Sequence, residues 1–122
     1  MQYRVNQGDI ILMNLDPQAG NEQKGRRPAI VVTGPEFHKR FKKAAMVCPI
    51  TNTDKDIPTQ VKLDGRTKTK GVIMCEQAKI LDLHIRNASF LETAPPDIVN
   101  RAIEIIGWFI PPMDESHGEE MN

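Results

Sequence analysis

Residues 28–33 read PAIVVT and residues 44–51 read AAMVCPIT, and these two apolar runs decide the predicted fold. Each run is short, rich in β-branched residues and bounded by turn-forming residues, which is typical of a strand buried in a sheet. Pro49 lies inside the second run, and because proline cannot donate to a strand ladder, it predicts an edge position or a bulge. The sequence therefore predicts a β domain built around two core strands.

Further segments on both sides of these runs also predict strands. They are short and contain β-favouring residues, and they cover residues 9–15, 59–63, 72–80 and 86–91. The stretches between the strands are rich in Gly, Pro or charged residues, which indicates loops and turns at residues 16–25, 36–43, 52–58 and 64–70.

One helix is predicted near the C-terminus. Pro95 and Pro96 followed by Asp97 are typical of a helix start, because proline is tolerated in the first turn and an acid favours the helix dipole. The apolar residues that follow share one helical face, which comprises Ile98, Ala102, Ile105, Ile106 and Phe109. Pro111 and Pro112 end the pattern. Many short strands followed by one helix favour a small β-barrel or sandwich capped by that helix.

The composition excludes several classes of protein. The chain has 122 residues, of which 39% are apolar and 26% charged, as in an ordinary single globular domain. No apolar run is long enough to cross a bilayer, and residues 1–7 lack the apolar segment of a secretory signal, so we expect a cytoplasmic protein. Cys48 and Cys75 have no zinc-binding spacing, and we expect two buried thiols rather than a disulfide.

The charged residues are unevenly distributed along the chain. Residues 1–70 carry 13 basic and 7 acidic side chains, a net charge of +6, whereas residues 71–122 carry 3 and 9, a net charge of −6. A polyanion such as RNA would bind to the first part, although charge runs more often only solvate turns. Residues 113–122 lack apolar periodicity, which predicts an acidic disordered tail after a domain of residues 1–112.

A polar loop leads directly into the first core strand. Residues 20–28 read GNEQKGRRP, with two glycines and six polar or charged side chains before the proline. Arg27 lies where this loop meets the sheet, and Thr51 ends the second core strand, so the two side chains would converge if the strands are neighbours. From the residues alone, a surface ion pair for Arg27 and a turn cap for Thr51 are the simpler interpretation.

The sequence resembles the MazF/PemK family of toxin endoribonucleases over about residues 5–110. The motifs that carry the resemblance occur in the family's order, and together they are more specific than any one of them. They are GD at 8–9, LDP at 15–17, GNEQKGRRP at 20–28, CPIT at 48–51 and GVIMCEQAK at 71–79. The resemblance implies a mainly β fold, a small SH3-like barrel with a C-terminal helix, that forms a homodimer.

The resemblance also implies a reaction on single-stranded mRNA without a metal or other cofactor. The 2′-hydroxyl of the substrate attacks the phosphate, leaving a 2′,3′-cyclic phosphate and a 5′-hydroxyl. Arg27 matches the catalytic arginine of the family, Thr51 matches its catalytic threonine, and Glu22 is the nearest candidate base. RNA-binding roles are expected for amide and cationic side chains, namely Asn21, Gln23, Arg26, Gln77 and Lys79.

The implied partner is an antitoxin whose acidic, disordered arm occupies the RNA groove. Two alternatives are a non-catalytic toxin similar to the gyrase poisons on the same barrel, and a generic SH3-like binding module. Phe37 and Phe41 could stack on bases or pack their loop onto the barrel. Trp108 and Phe109 are expected to be core or dimer contacts.

Overall fold

The computed structural model of the protein describes residues 3–15 and 25–116. These residues form an antiparallel sheet of seven strands, a short helix and a C-terminal helix. The strands are β1 (Asp9–Asn14), β2 (Arg26–Val31), β3 (Ala44–Thr51), β4 (Gln60–Lys62), β5 (Val72–Met74), β6 (Lys79–Asp82) and β7 (Ser89–Thr93). The helices are α1 (Pro35–Arg40) and α2 (Pro96–Phe109), and a single 3₁₀ turn occupies Cys75–Gln77. None of the helices in these two stretches is long and apolar enough to cross a membrane.

Strand β3 is the centre of the sheet, so the predicted edge position of Pro49 is wrong. The order of strands is β4-β5-β3-β2-β1-β7, and β6 also pairs with β3. β6 pairs with residues 44–47 of β3 and β5 pairs with residues 50–51. Val32 N donates to Met46 O at 3.0 Å, so by alternation the backbone of Pro49 faces the β5 and β6 side. The missing N–H of Pro49 therefore falls at the gap where β3 changes partner.

Both faces of the sheet are covered, which explains why its central strands read as unbroken apolar runs. We call the side under α2 the helix face and the other side, under residues 83–88 and the N-terminal residues, the turn face. The helix face buries Ile10, Ile30, Cys48 and Ile50 against Ile98, Ala102 and Ile105 of α2. The turn face buries Ile11, Met13, Ala29, Val31 and Val47 with Val5 and Leu83.

Several predicted elements need correction. Residues 36–43 were predicted as a loop, but Pro35 occupies the first position of α1, with Glu36 in its first turn and basic residues in its last. Residues 72–80 were predicted as one strand, but the 3₁₀ turn divides them into β5 and β6, which pair with different halves of β3. The strand predicted at residues 86–91 is β7, which begins only at Ser89 because residues 83–87 form turns.

The C-terminal helix confirms its predicted start and most of its apolar face. Trp108, however, is 76% exposed and Phe109 is 37% exposed, so the core interpretation is wrong for Trp108 and their role as dimer contacts stays a prediction. Cys48 and Cys75 are buried and form no disulfide, as predicted. The acidic tail also stays a prediction, because residues 117–122 lie outside the described residues.

Candidate active site

Strands β2 and β3 are neighbours, which is the condition that the sequence set for a site at Arg27 and Thr51. Their antiparallel register pairs Ala29 with Pro49 and Val31 with Val47. Continuing this register by two residues places Arg27 opposite Thr51. Facing residues of neighbouring strands project to the same side of a sheet with Cβ atoms about 5 Å apart. Ala29 and Val31 belong to the turn face, and the alternation along β2 therefore directs Arg27 to that side too.

The guanidinium of Arg27 is exposed, and the residues that the structure describes offer it little to bind. Its Nη1 donates to the carbonyl oxygen of Arg26 at 3.4 Å, at the long end of hydrogen-bond distances. Arg27 forms no ion pair with any of residues 3–15 or 25–116, so the surface ion pair of the simpler interpretation is not found there. A guanidinium fork of this kind can bind two oxygens of one anion.

Thr51 caps a turn, as the simpler interpretation predicted, and this cap is compatible with chemistry. Its Oγ1 accepts a hydrogen bond from the backbone N–H of Thr53 at 3.2 Å. A hydroxyl oxygen has a second lone pair and one hydrogen to donate. The turn therefore fixes the position of the oxygen while the hydroxyl hydrogen stays available to a phosphate oxygen beside Arg27.

Gly71 supports Thr51 from the neighbouring strand, a role that the sequence did not reveal beyond the closing of a turn. Its φ is +120°, and a Cβ atom there would lie 2.4 Å from the carbonyl oxygen of Thr51 and 3.3 Å from Oδ1 of Asn52. Val72, the next residue, pairs directly with Thr51. Only glycine permits this close approach, so Gly71 helps to position the end of β3.

The two neighbouring arginines have different surroundings. Arg26 donates to Leu12 O at 3.2 Å, to Asn87 O at 3.0 Å and to Ser89 Oγ at 3.2 Å. These bonds tie the start of β2 to β1 and to the segment that enters β7. The expected RNA contact of Arg26 stays a prediction, and its guanidinium already has a structural role.

Two of the expected RNA-binding residues lie beyond β5. Gln77 ends the 3₁₀ turn, Lys79 begins β6, and both are exposed. Lys79 pairs with Val47 of β3, four residues from Thr51 and therefore about 13 Å along the strand. Lys79 thus lies on the same face as Arg27 and Thr51 but outside direct contact with them.

The Cys48 thiol near this turn is unsuited to chemistry. Cys75 is buried at the start of the 3₁₀ turn, where it contacts Cys48. Contact with Cys75 and burial raise the pKa of the Cys48 thiol well above its ordinary value, so the thiol stays protonated.

The loop before β2 contains the remaining candidates. Asn21, Glu22 and Gln23 lie outside the described residues, so their roles stay predictions. The ends of the loop are held together, because Leu15 N donates to Gly25 O at 3.3 Å. Arg86 reinforces the entry with bonds from Nη1 to Asn14 O and Leu15 O at 3.1 and 3.0 Å, and no sequence signal had indicated this role.

No group of three or more His, Cys, Asp or Glu side chains that could hold a metal ion occurs within residues 3–15 and 25–116.

Residues 6–109 match the family model described as the PemK-like, MazF-like toxin of type II toxin–antitoxin systems. The chain belongs to this family. It is 36% identical over 103 residues to Endoribonuclease PemK of Escherichia coli. The aligned region covers 81% of this chain and 77% of that protein.

Solved structures of MazF-like toxins agree with the fold. MazF of Deinococcus radiodurans superposes with a TM-score of 0.77 at 31% identity, covering 89% of this chain and 98% of that one. A MazE–MazF structure from the same organism superposes with a TM-score of 0.75 at 26% identity, covering 89% and 97%. The predicted fold class, a small mainly β barrel with a C-terminal helix, is confirmed.

Proposed function

We propose that this chain is the toxin of a type II toxin–antitoxin pair and an endoribonuclease that cuts single-stranded mRNA. The observation that carries the proposal is the register of β2 and β3, which when continued by two residues brings Arg27 opposite Thr51, in a chain of the MazF-like family. The family match supports the activity as well, because the 36% identical relative from Escherichia coli is named an endoribonuclease.

The proposed reaction makes three chemical demands. The 2′-hydroxyl must lose its proton as the 2′-oxygen bonds to phosphorus, the phosphate charge must be stabilised, and the 5′-oxygen must gain a proton as its bond to phosphorus breaks. The products are a 2′,3′-cyclic phosphate and a 5′-hydroxyl, and no external reactant is consumed. The first two demands can be assigned to candidate groups of this chain, Glu22 for the proton of the 2′-hydroxyl and Arg27 for the phosphate charge.

Arg27 supplies charge stabilisation. Its parallel N–H donors match two oxygens of a phosphate, and the charge on those oxygens increases as the fifth bond to phosphorus forms. Thr51 donates its hydroxyl hydrogen to the same phosphate and so fixes the reacting group against the end of β3. The two side chains therefore act on one phosphate from two neighbouring strands.

Glu22 is proposed as the general base, and Asn21 and Gln23 are proposed to read bases. All three belong to the loop whose ends are held together at Leu15 and Gly25. Gly25 is only two residues from Arg27, so this loop begins and ends beside the proposed reacting phosphate. Base recognition by amide edges suits single-stranded RNA, whose bases are accessible.

The partners follow from the family and from the surface. We expect an antitoxin with an acidic, disordered arm, since a MazE–MazF complex is among the structures that this chain resembles. We expect a homodimer, and the exposed apolar residues Trp108, Ile110 and Met113 offer a surface for it. A cytoplasmic location is also proposed, because mRNA is found there.

One experiment separates the nuclease from a non-catalytic, gyrase-poison-like toxin. The purified protein is incubated with a long single-stranded RNA in excess EDTA, and the ends of the products are analysed. Cuts at a short recurring sequence with 2′,3′-cyclic phosphate and 5′-hydroxyl ends are expected. An intact RNA would favour the non-catalytic binder, and cutting that requires a divalent metal would overturn the metal-independent mechanism.

A further inference from the structure

A cleft of about 650 Å³ opens at the end of the β2–β3 ladder that is opposite to Arg27 and Thr51. Its walls come from three separate parts of the chain: residues 3–7, the segment that contains α1 and the following residues 42–43, and His84. The chain passes from β2 to β3 at this end. Thr51 lies seven residues after Ala44, the first residue of β3, which corresponds to about 23 Å along the strand. The cleft is therefore separate from the proposed reacting site.

The cleft is lined by four cations, three of which form no ion pair with the residues that the structure describes. Arg4, Lys39, Lys42 and Lys43 line it, and none of the described residues that line it is acidic. Lys39 pairs with Glu36 at 3.2 Å, but the other three form no ion pair within the described parts of the chain. Like charges around one concave surface repel each other and create a positive potential that an anion would relieve.

The carboxylates beside the cleft offset part of this charge. Asp82 is one of them: a hydrogen bond from the backbone N–H of Ile85 and the charge of Lys43 lower its pKa, so it is ionised beside Lys43. The carboxylate of Asp9 is buried, and it accepts hydrogen bonds from the hydroxyl of Tyr3 and from the backbone N–H of Asn6. His38 contacts Thr33 Oγ1 at 2.7 Å, and burial lowers the pKa of its imidazole, so it is a neutral anchor for α1 at neutral pH.

The lining favours a nucleic-acid backbone over a peptide. Of the eleven lining residues, Tyr3, Val5 and Pro35 are the ones with largely apolar side chains, and Val5 is buried. Peptide recognition depends on apolar or aromatic anchors that fill pockets, whereas phosphates need only fixed positive charge. Lys79 lies about midway along β3, on the turn face, and could continue a path of positive charge from Thr51 towards Lys43.

We propose that this cleft is a second RNA-binding site, which holds backbone phosphates of the single-stranded substrate several nucleotides from the cleaved bond. The inference rests on the proposed function, because it gives the cleft the same RNA that is cut at Arg27. The cleft increases affinity for long RNA without reading its sequence, since Lys and Arg contacts to phosphates carry no base information.

The test compares two double variants that remove the same charge. Lys42→Gln/Lys43→Gln removes two cations of the cleft, and Arg40→Gln/Lys68→Gln removes two exposed cations that do not line it and form no ion pair within residues 3–15 and 25–116. Each is assayed on a long RNA and on a short RNA that contains only the mapped cut site. The cleft variant is expected to raise KM about tenfold on the long RNA at low salt, with kcat little changed. On the short RNA, the KM of the cleft variant should rise no more than the KM of the control variant does.

Binding is measured separately from cleavage, on a long RNA with deoxyribose at the cut position. In the cleft variant, the slope of log K against the logarithm of the salt concentration should be smaller in magnitude by about 1.4. This is 0.7 for each of two lost phosphate contacts. This result would stand even if the wild type cut no RNA, which would refute only the proposed function. The second site would be overturned if the two variants lost RNA affinity equally, or if the cleft variant lost it equally on long and short RNA. Unchanged RNA affinity with weakened binding of a poly-glutamate peptide would overturn it too.

Discussion

The two ends of the β2–β3 ladder are both exposed and basic, but they offer different chemistry. At one end the register of the two strands, continued by two residues, brings Arg27 opposite Thr51, whose hydroxyl oxygen is fixed by a turn. At the other end several cations surround a cleft in which none of the described lining residues is acidic. The first arrangement can stabilise a changing charge and orient one phosphate, whereas the second can only attract phosphates. Positive charge alone therefore does not distinguish the proposed reacting site from the cleft; the proposed site differs in pairing a donor fork with a fixed hydroxyl.

The largest expected effect is at Arg27. Arg27→Ala removes the charge that stabilises the pentacovalent phosphate, so kcat on RNA should fall by about 10³-fold. The melting temperature should hardly change, because the side chain makes one long hydrogen bond to the described part of the chain. Arg27→Lys keeps the charge but loses the fork and should be intermediate. Arg101→Ala, on the exposed side of α2, is the control. A similar loss of kcat in that variant would show that the effect does not depend on the position of Arg27.

Thr51 should show a smaller effect that depends on its hydroxyl. Thr51→Val keeps the shape of the side chain but removes the donor, and we expect kcat to fall by about 10²-fold. It also removes the turn bond to Thr53, which should cost about 1 kcal/mol of unfolding free energy. Thr51→Ser keeps both bonds and should recover most of the activity, measured by single-turnover cleavage. A serine variant as slow as the valine variant would argue against a role for the hydroxyl.

Gly71 tests whether the backbone at the end of β3 must be held in place. Gly71→Ala puts a Cβ atom 2.4 Å from Thr51 O at a φ of +120°, so we expect a loss of about 2 kcal/mol in the free energy of unfolding. Cleavage by the folded fraction should also fall, because Thr51 moves. Gly65→Ala is the matched control, since no atom lies within 4 Å of the added Cβ. Denaturant unfolding and cleavage assays that found the two variants alike would contradict the positioning role.

The smallest effect is expected at Arg66, a basic residue that is fully paired. It binds Asp64 and Asp97, each at 2.8 Å, and so joins the turn at residues 64–70 to the start of α2. Hydrogen bonds from Arg66 lower the pKa of Asp64 to about 2, so this contribution to stability is present above pH 4 and is lost as the pH falls towards 2. Arg66→Gln should lower the melting temperature slightly at pH 7 but not at pH 2.

The effect of Arg66 on RNA affinity should also be small. Arg66→Gln should weaken binding of the long RNA less than Lys42→Gln/Lys43→Gln does, because its guanidinium is already engaged by two carboxylates. A filter-binding titration at low salt compares the variants. A larger loss for Arg66→Gln would show that pairing within the protein does not separate structural cations from RNA-binding ones.

Much of the sheet could be predicted because burial on both faces leaves a strong signal in the sequence. β3 reads as eight nearly continuous apolar residues, and the structure gives it the predicted bounds, Ala44–Thr51. α1 was missed because it buries no residue, so it carries no apolar period to oppose the turn signal of Gly34 and Pro35. The change of partner along β3, which splits residues 72–80, depends on long-range pairing that local pattern does not contain.

The candidate site was predictable only in part. Arg27 and Thr51 could be singled out by their places at strand ends, but their opposition depends on the register of β2 and β3. The difference between Arg26 and Arg27 is equally invisible in sequence, because the bonds of Arg26 go to residues far along the chain. The basic cleft brings together residues 3–7, 35–43 and 84, and such a convergence follows from the fold rather than from any motif.

The central claim, that Arg27 and Thr51 act on the same phosphate, is tested most directly by a double-mutant cycle on cleavage. Single-turnover rates are measured for the wild type, Arg27→Ala, Thr51→Val and the double variant, on one RNA under one set of conditions. Groups that act as a unit are strongly non-additive. We expect the double variant to cut about as slowly as Arg27→Ala alone. Losses that multiply, to about 10⁵-fold, would show that the two side chains act independently and would contradict the account.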